Sequence, residues 1–531
     1  MSTSDSKNIA NTPIGKLSDM YISEFLKHSP ATRTFESVGE NHEELEDYSF
    51  DNTEMIDLNK KFIEKISKVS THSESEQLAK SIMLQTLNAE NQLSQSKQTF
   101  ANWGPEDSPV TNTLALVEYS AKTTEPEQFL TRVSKVPTAL AQWFDSLELA
   151  KKEGILNSEK STSALLKQLE KIYKNQKYLE LVKSVFGKNL TRYQEQIARQ
   201  ADAAHYSLYL KLKHNYLPYA YQEIGIGYEN YQLLAKYNLG IEVDLTAIYL
   251  EVRDNLASTL SEIKATAKEV DKNFYSVAQT MKNLDNKSYN YSHDQIEQFV
   301  NDLQVKASKA LVNTLDLTGV KPCELLISTD PLDENPYYLP QFSSEQNGVF
   351  VFPEKITKTL WRTPSTIYHE SIPGHHLQFS TQHINQSNLT SFQKKLGENP
   401  GFEEGWAFYV EKLLDKLGVF DIPSYRLSHL LDKALRLSRV ELDIAIHLRG
   451  EVSKIPQITY YEAINKLITS HQSKAAATYE VDRYLALPAQ AITYQIGSDL
   501  IEQKIKKAPS SEIISTHKKI LTKGTRPLNL L

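Results

Sequence analysis

Apolar residues along most of the chain follow the spacing of amphipathic helices. Leu245, Ile248, Val252, Leu256 and Ile263 recur at three-, four- and seven-residue steps after Asp244, a helix-capping residue type, which predicts a helix with one buried face. Similar stripes run through residues 164–186, 193–212 and 296–315, separated by breakers such as Trp103-Gly104-Pro105 and Ser108-Pro109. No fixed repeat period that would indicate a solenoid is present. The texture changes near Lys321. Pro322, Pro331, Pro336 and Pro340 punctuate irregular chain, and residues 348–352, ended by Pro353, read as a short strand. That strand is either a sheet edge able to accept an extended peptide or part of a small structural hairpin. From Thr363 onward the pattern is helical again. The expectation is a mainly α fold with small β elements near the functional site.

Composition narrows the function classes. With 531 residues, 40% hydrophobic and 24% charged, the chain reads as an ordinary globular protein with room for a large core. The balance of 59 basic and 66 acidic residues leaves no basic field for phosphate backbones, so no nucleic-acid partner is expected. The single cysteine, Cys323, excludes an intrachain disulfide and a thiolate zinc cluster. No run approaches the ~20 apolar residues of a membrane span, and the polar start lacks the apolar stretch of a signal peptide. Both a cytoplasmic protein and an exported or periplasmic lipoprotein without its signal fit this pattern. Oligomeric state is not indicated.

One segment carries chemistry. Thr363-Pro364 supplies a helix start, so residues 365–372 are predicted helical, with His369 and Glu370 inside. In the H-E-x-x-H signature, histidines at i and i+4 share a helix face and bind one zinc, while the glutamate activates water. Here the order is His369-Glu370-Ser371-Ile372-Pro373-Gly374-His375-His376, and the next histidine stands six positions on. On an unbroken helix such a pair lies about 9 Å apart along the axis and roughly 120° apart around it. Pro373 cannot donate to the His369 carbonyl, and Gly374 admits backbone angles closed to other residues, so the helix must break. With these two residues looped out, His375 returns to the i+4 place. His369 and His375 are the expected ligands of Zn2+, with His376 the alternative to His375.

A catalytic zinc takes three protein ligands. The third is sought in the helix introduced by Pro400 and closed near Gly418, where Phe402, Trp406, Tyr409, Leu413 and Leu417 form an apolar face. A carboxylate buried there needs a cation to offset its desolvation. Glu403 and Glu404 fall where at least one is expected to be buried, and the third ligand is one of this pair. The competing reading of both is a solvated pair at a helix N-terminus.

The strings YHESIPGHHLQ, EEGWAFYVE and LPAQAITYQIG resemble, in order, the H-E-x-x-P-G-H-H, E-G-W-A-x-Y-x-E and P-G-Q-A-x-x-Y-x-x-G motifs of the family called domain of unknown function 885. The likeness is specific over residues 337–497 and weak before that. It departs at Ala489, where the family has glycine. The family is similar to gluzincin-type metallopeptidases, which implies a helical metallopeptidase-like fold with a deep cleft, and gives Glu404 the place of their ligand glutamate.

By the motif, Tyr494 is the candidate hydrogen-bond donor to an oxyanion, and Arg483 is a candidate anchor for a substrate carboxylate. Arg439, Asp443 and His447 form a polar stripe on an apolar helix, read either as support for a ligand histidine or as structural pairing. No G-x-S-x-G elbow or phosphate-binding loop is present.

These readings divide the chain into a flexible leader (1–20), a helical N-terminal region (21–320) and a catalytic metal-binding region (321–531), the last two forming one compact unit. The expected function is zinc-dependent hydrolysis of peptide bonds, of short peptides, with Glu370 as general base. The alternatives are a metal-dependent amidohydrolase for a non-peptide substrate and a helical binding protein with a structural metal.

Overall fold

Order begins earlier along the chain than the leader expectation allows. The computed structural model describes residues 8–36, 42–287, 291–329, 336–342 and 347–531. Within it Thr12 caps a helix over Pro13–His28, with proline in the first turn and Ile14 and Tyr21 buried. The flexible leader is therefore corrected from residue 8 onward: Thr-Pro is itself a helix start, and the Tyr21 ring packs on Phe62 and Phe392. Residues 1–7, and Pro331 of the proline-rich stretch, lie outside the described residues.

Apolar side chains gather in three clusters. One joins Pro13–His28, Glu54–Ser67 and Glu74–Ser96 and includes Phe392 from far along the chain. A second lies among the helices between residues 109 and 216. Here the stripe over residues 164–186 proves to be two helices, Glu159–Lys174 and Lys177–Phe186, broken where Gln176 takes a φ of 50°. The largest cluster runs from Ile224 to Leu528 and crosses residue 320 without interruption.

In that cluster Leu245–Val270 (α1) follows Asp244, whose side chain accepts from the Thr246 and Ala247 amides as the cap predicted. A three-stranded sheet follows, formed by Glu324–Ser328 (β1), Tyr337–Phe342 (β2) and Asn347–Pro353 (β3), in the order β1-β3-β2. The strand read at residues 348–352 is thus central, parallel to β1 and antiparallel to β2. Both its backbone edges are paired, which overturns its reading as a peptide-accepting edge. Its buried Phe350, Val351 and Phe352 suit a strand covered on both faces.

Helices Pro364–Glu370 (α2), His375–Ile384 (α3), Pro400–Lys416 (α4), Pro423–His447 (α5), Lys474–Ala486 (α6) and Thr493–Lys506 (α7) complete the part that carries the candidate site. The approach of α4 to α7 depends on two glycines. A Cβ at Gly405 would lie 2.5 Å from Gly497 Cα, and one at Gly497 would lie 1.8 Å from the Gly401 carbonyl oxygen. Only glycine lets the two backbones touch. Among the described residues no helix is long and apolar enough to cross a membrane.

Candidate metal centre

The break between α2 and α3 sets the histidines. Helix α2 stops at Glu370, two residues before the predicted end, and α3 begins at His375. Thr363 precedes Pro364 as expected, but its hydroxyl donates to the Leu360 carbonyl and does not cap the helix. Pro373 removes the amide that would continue α2, and Gly374 folds against its last turn, where a Cβ would sit 1.8 Å from the His369 carbonyl oxygen. Trp406 of α4 holds the break from the other side, its indole donating to the Pro373 carbonyl at 3.1 Å. Across the gap the rings of His369 and His375 meet edge to face, centroids 4.8 Å apart.

Glu404 completes the group. Its Oε2 lies 3.3 Å from His369 Nε2 and 3.9 Å from His375 Nε2, and one donor atom from each of the three residues falls within 4.8 Å of the others. In a tetrahedral zinc site with bonds near 2.0–2.1 Å, neighbouring ligand atoms sit roughly 3.3–3.4 Å apart. The Glu404–His369 pair matches that spacing and the other separations are wider; two imidazoles and one carboxylate form a donor set that could hold a divalent ion. His376 takes no part: its Nδ1 meets the Tyr338 hydroxyl at 3.1 Å and its Nε2 the Lys321 carbonyl at 2.8 Å. The alternative to His375 is thereby set aside. Glu403 is likewise outside the triad and lines a cavity of about 480 Å³ beside Phe342, Phe379 and Glu398.

The strongest support of the triad comes from Glu411, which the sequence reading did not single out. It stands seven positions after Glu404, two turns along α4, so both carboxylates project from one face. Glu411 Oε1 is 2.7 Å from His369 Nδ1 and 2.9 Å from the Arg436 guanidinium of α5, and Ser365 Oγ donates to its other oxygen at 2.5 Å. One helix therefore grips both nitrogens of the same imidazole. The signal was present as the last glutamate of EEGWAFYVE, but the partner it faces depends on tertiary placement.

Burial and pairing set the charges apart. Burial, with the Glu404 carboxylate beside it, lifts the Glu370 carboxyl to about 7 in spite of His369. Burial would also raise Glu404, but the His369 hydrogen bond and the two imidazoles outweigh it and hold the carboxyl at about 2. Glu411 is held at about 2 against the same burial by Arg436 and His369. His375 is lowered to about 4 by burial and by the neighbouring His369. His369 is raised to about 9, because its bonds to Glu404 and Glu411 overcome a burial that alone would lower it.

Tyr494 stacks near His369, ring centroids 6.2 Å apart, with its phenol pushed up by burial and by Glu404. Arg483 donates to Gln490 at 3.2 Å. The Arg439-Asp443-His447 stripe does not orient a ligand histidine. Arg439 forks onto Glu480 at 2.7 and 2.8 Å, Asp443 accepts from the Tyr231 hydroxyl and the Ala489 amide, and His447 meets the Tyr484 carbonyl. It is structural pairing that fixes the segment before α7. There Ala489 adopts a φ of 63°, the left-handed region that glycine takes without cost.

Fold and site together define a mainly helical protein with a small sheet and a His-His-Glu group able to hold a metal ion. The sequence matches, over residues 30–531, the family described as bacterial protein of unknown function (DUF885), and the chain belongs to that family. Two solved structures share the fold. One is described as a "putative lipoprotein" from Colwellia psychrerythraea, 17% identical with a TM-score of 0.76 and 97% of each chain covered. The other is a "putative lipoprotein of unknown function" from Shewanella oneidensis, 16% identical with a TM-score of 0.75 and 98% of each chain covered. No curated protein matches the sequence.

Proposed function

We propose that this protein is a zinc-dependent hydrolase that cleaves peptide bonds in short peptides. The observation that carries the reading is the convergence of His369, His375 and Glu404 with a half-buried glutamate, Glu370, next in sequence to a ligand. A structural metal needs no such neighbour; a hydrolytic one does. A divalent ion held by the triad supplies Lewis acidity. Glu370, lifted toward neutrality, is suited to take a proton from the attacking water and pass it to the leaving amine. Tyr494 keeps its proton near neutral pH, and its hydroxyl donates a hydrogen bond to the oxyanion that forms on the scissile carbonyl. Glu411, with Arg436 behind it, positions His369 and fixes its tautomer. The cleft expected of such an enzyme belongs to this proposal. So does an exported location, which the description of both structural relatives supports.

Metal analysis of the purified protein, followed by a peptide-library screen with and without chelator, tests the reading. Stoichiometric zinc and chelator-sensitive cleavage are expected. Cleavage that persists without metal overturns it, and a metallated protein that cleaves amides but no peptides selects the amidohydrolase alternative.

A further inference from the structure

Three arginines surround the Tyr494 side of the triad, and only two have carboxylate partners. Arg436 is paired with Glu411 at 2.9 Å and Arg439 with Glu480 at 2.7 Å. Among the described residues no carboxylate lies within ion-pair distance of Arg483, and its one hydrogen bond goes to the neutral Gln490. The carboxylates whose charge it feels are Glu480 and Glu404, and each is engaged elsewhere, as is the nearby Asp443 carboxyl. Glu404 faces the two histidines. Glu480 accepts both arms of Arg439 and the Tyr484 hydroxyl, and Asp443 accepts from Tyr231 and the Ala489 amide. Arg483, near the end of α6, is half-buried. A half-buried cation without an anion has lost part of its hydration with no charge to offset it, and a planar guanidinium matches a carboxylate through two parallel hydrogen bonds.

We infer that Arg483 receives the free carboxylate of the substrate, so that the protein acts at the carboxyl-terminal end of a peptide. The inference rests on the proposed hydrolase reading and deepens it. Two features favour a substrate end over a structural role. Arg439, on the neighbouring helix, shows what a structural arginine makes of this environment, a two-pronged bond to a buried glutamate. Arg483 also bonds Gln490, four positions before Tyr494, whose ring lies 6.2 Å from that of His369, and it is within electrostatic reach of Tyr494 and Glu404.

The test measures binding apart from turnover. The Glu370→Gln protein, loaded with zinc, is titrated calorimetrically with tetra-alanine bearing either a free carboxylate or a carboxyl-terminal amide. The free acid is expected to bind on the order of 10- to 100-fold tighter, the range of a charge-assisted hydrogen-bonded pair. Adding Arg483→Gln should abolish that preference while zinc content stays unchanged and the thermal midpoint does not fall, and Arg483→Lys should restore part of it. Equal affinity for the two forms, including no binding of either, overturns the inference, as does a preference that survives Arg483→Gln. Absence of zinc binding by the wild-type protein is the separate result that removes the underlying hydrolase reading.

Discussion

Glu370 and Glu404 are half-buried carboxylates of one group, and their neighbours drive them in opposite directions. Glu404 is held ionised by two imidazoles, as a ligand must be, whereas burial beside that same anion brings Glu370 to about 7. Substitution should therefore separate them. Glu370→Gln is expected to keep zinc while activity falls by roughly two to four orders of magnitude, the range for losing a general base. Glu404→Gln and His375→Ala should lose zinc and activity together, and His376→Ala should keep both, as plasma-emission metal analysis will read. Full zinc in Glu404→Gln would send the search for the third ligand to Glu403. Glu411→Gln should weaken zinc binding by about 10- to 100-fold, because His369 loses its orienting carboxylate.

A second residue-scale expectation concerns pH. Burial raises the Asp443 carboxyl from its ordinary value to about 8, against the pull of the Tyr231 hydroxyl and Ala489 amide. The folded chain thus holds a proton that the unfolded chain releases above about pH 4. The stability contributed by this group is complete at low pH and is lost as pH rises from about 4 to 8. Asp443→Asn cannot titrate, so denaturant midpoints taken at pH 5 and pH 8 should fall less in the variant than in the wild type. Equal slopes would show that Asp443 is ionised in the fold.

At the scale of elements, the α4–α7 crossing is what brings Glu404 and Tyr494 to the same histidine. Gly405 and Gly497 make that crossing, and a methyl at Gly497 has backbone, not a flexible side chain, in its way. Gly497→Ala is expected to lower stability by at least ~1–3 kcal/mol, the usual scale of overpacking. Loss of activity should exceed what the melting curve explains, since Tyr494 moves with the helix. An active Gly497→Ala protein of unchanged melting temperature would refute this account.

The same elements show why some of the site was legible in the sequence. Pro373 and Gly374 encode the helix break by local sterics, but residue types leave both His375 and His376 open as the partner of His369, and only the tertiary contacts of His376 with Tyr338 and Lys321 separate them. Glu411 repeats at helical period after Glu404, but its partner is reached only once α4 packs on α2. The polar stripe on α5 was visible too, while its partners Glu480, Tyr231 and Ala489 come from segments that periodicity cannot place. Likewise the apolar run in β3 announces a strand. Its parallel pairing with β1, which removes the edge, is a matter of topology.

For the molecule as a whole, the position of the N-terminal helix matters most. Pro13–His28 docks on the short helix Ser391–Lys395, where the Phe392 amide donates to Ser18 Oγ at 2.7 Å across a separation of 374 positions. At ribosomal speeds of about 5–20 residues per second, the first helix waits on the order of 20–75 s for the segment that covers it. Throughout that interval Tyr21 lacks its Phe392 partner, and the opening stretch stays available to whatever binds emerging chains. Nascent chains arrested at residue 380 should therefore be cut by protease near residues 13–28, and full-length released protein should resist. Equal resistance in both would mean that the early helices close on themselves and that the late contact merely decorates them.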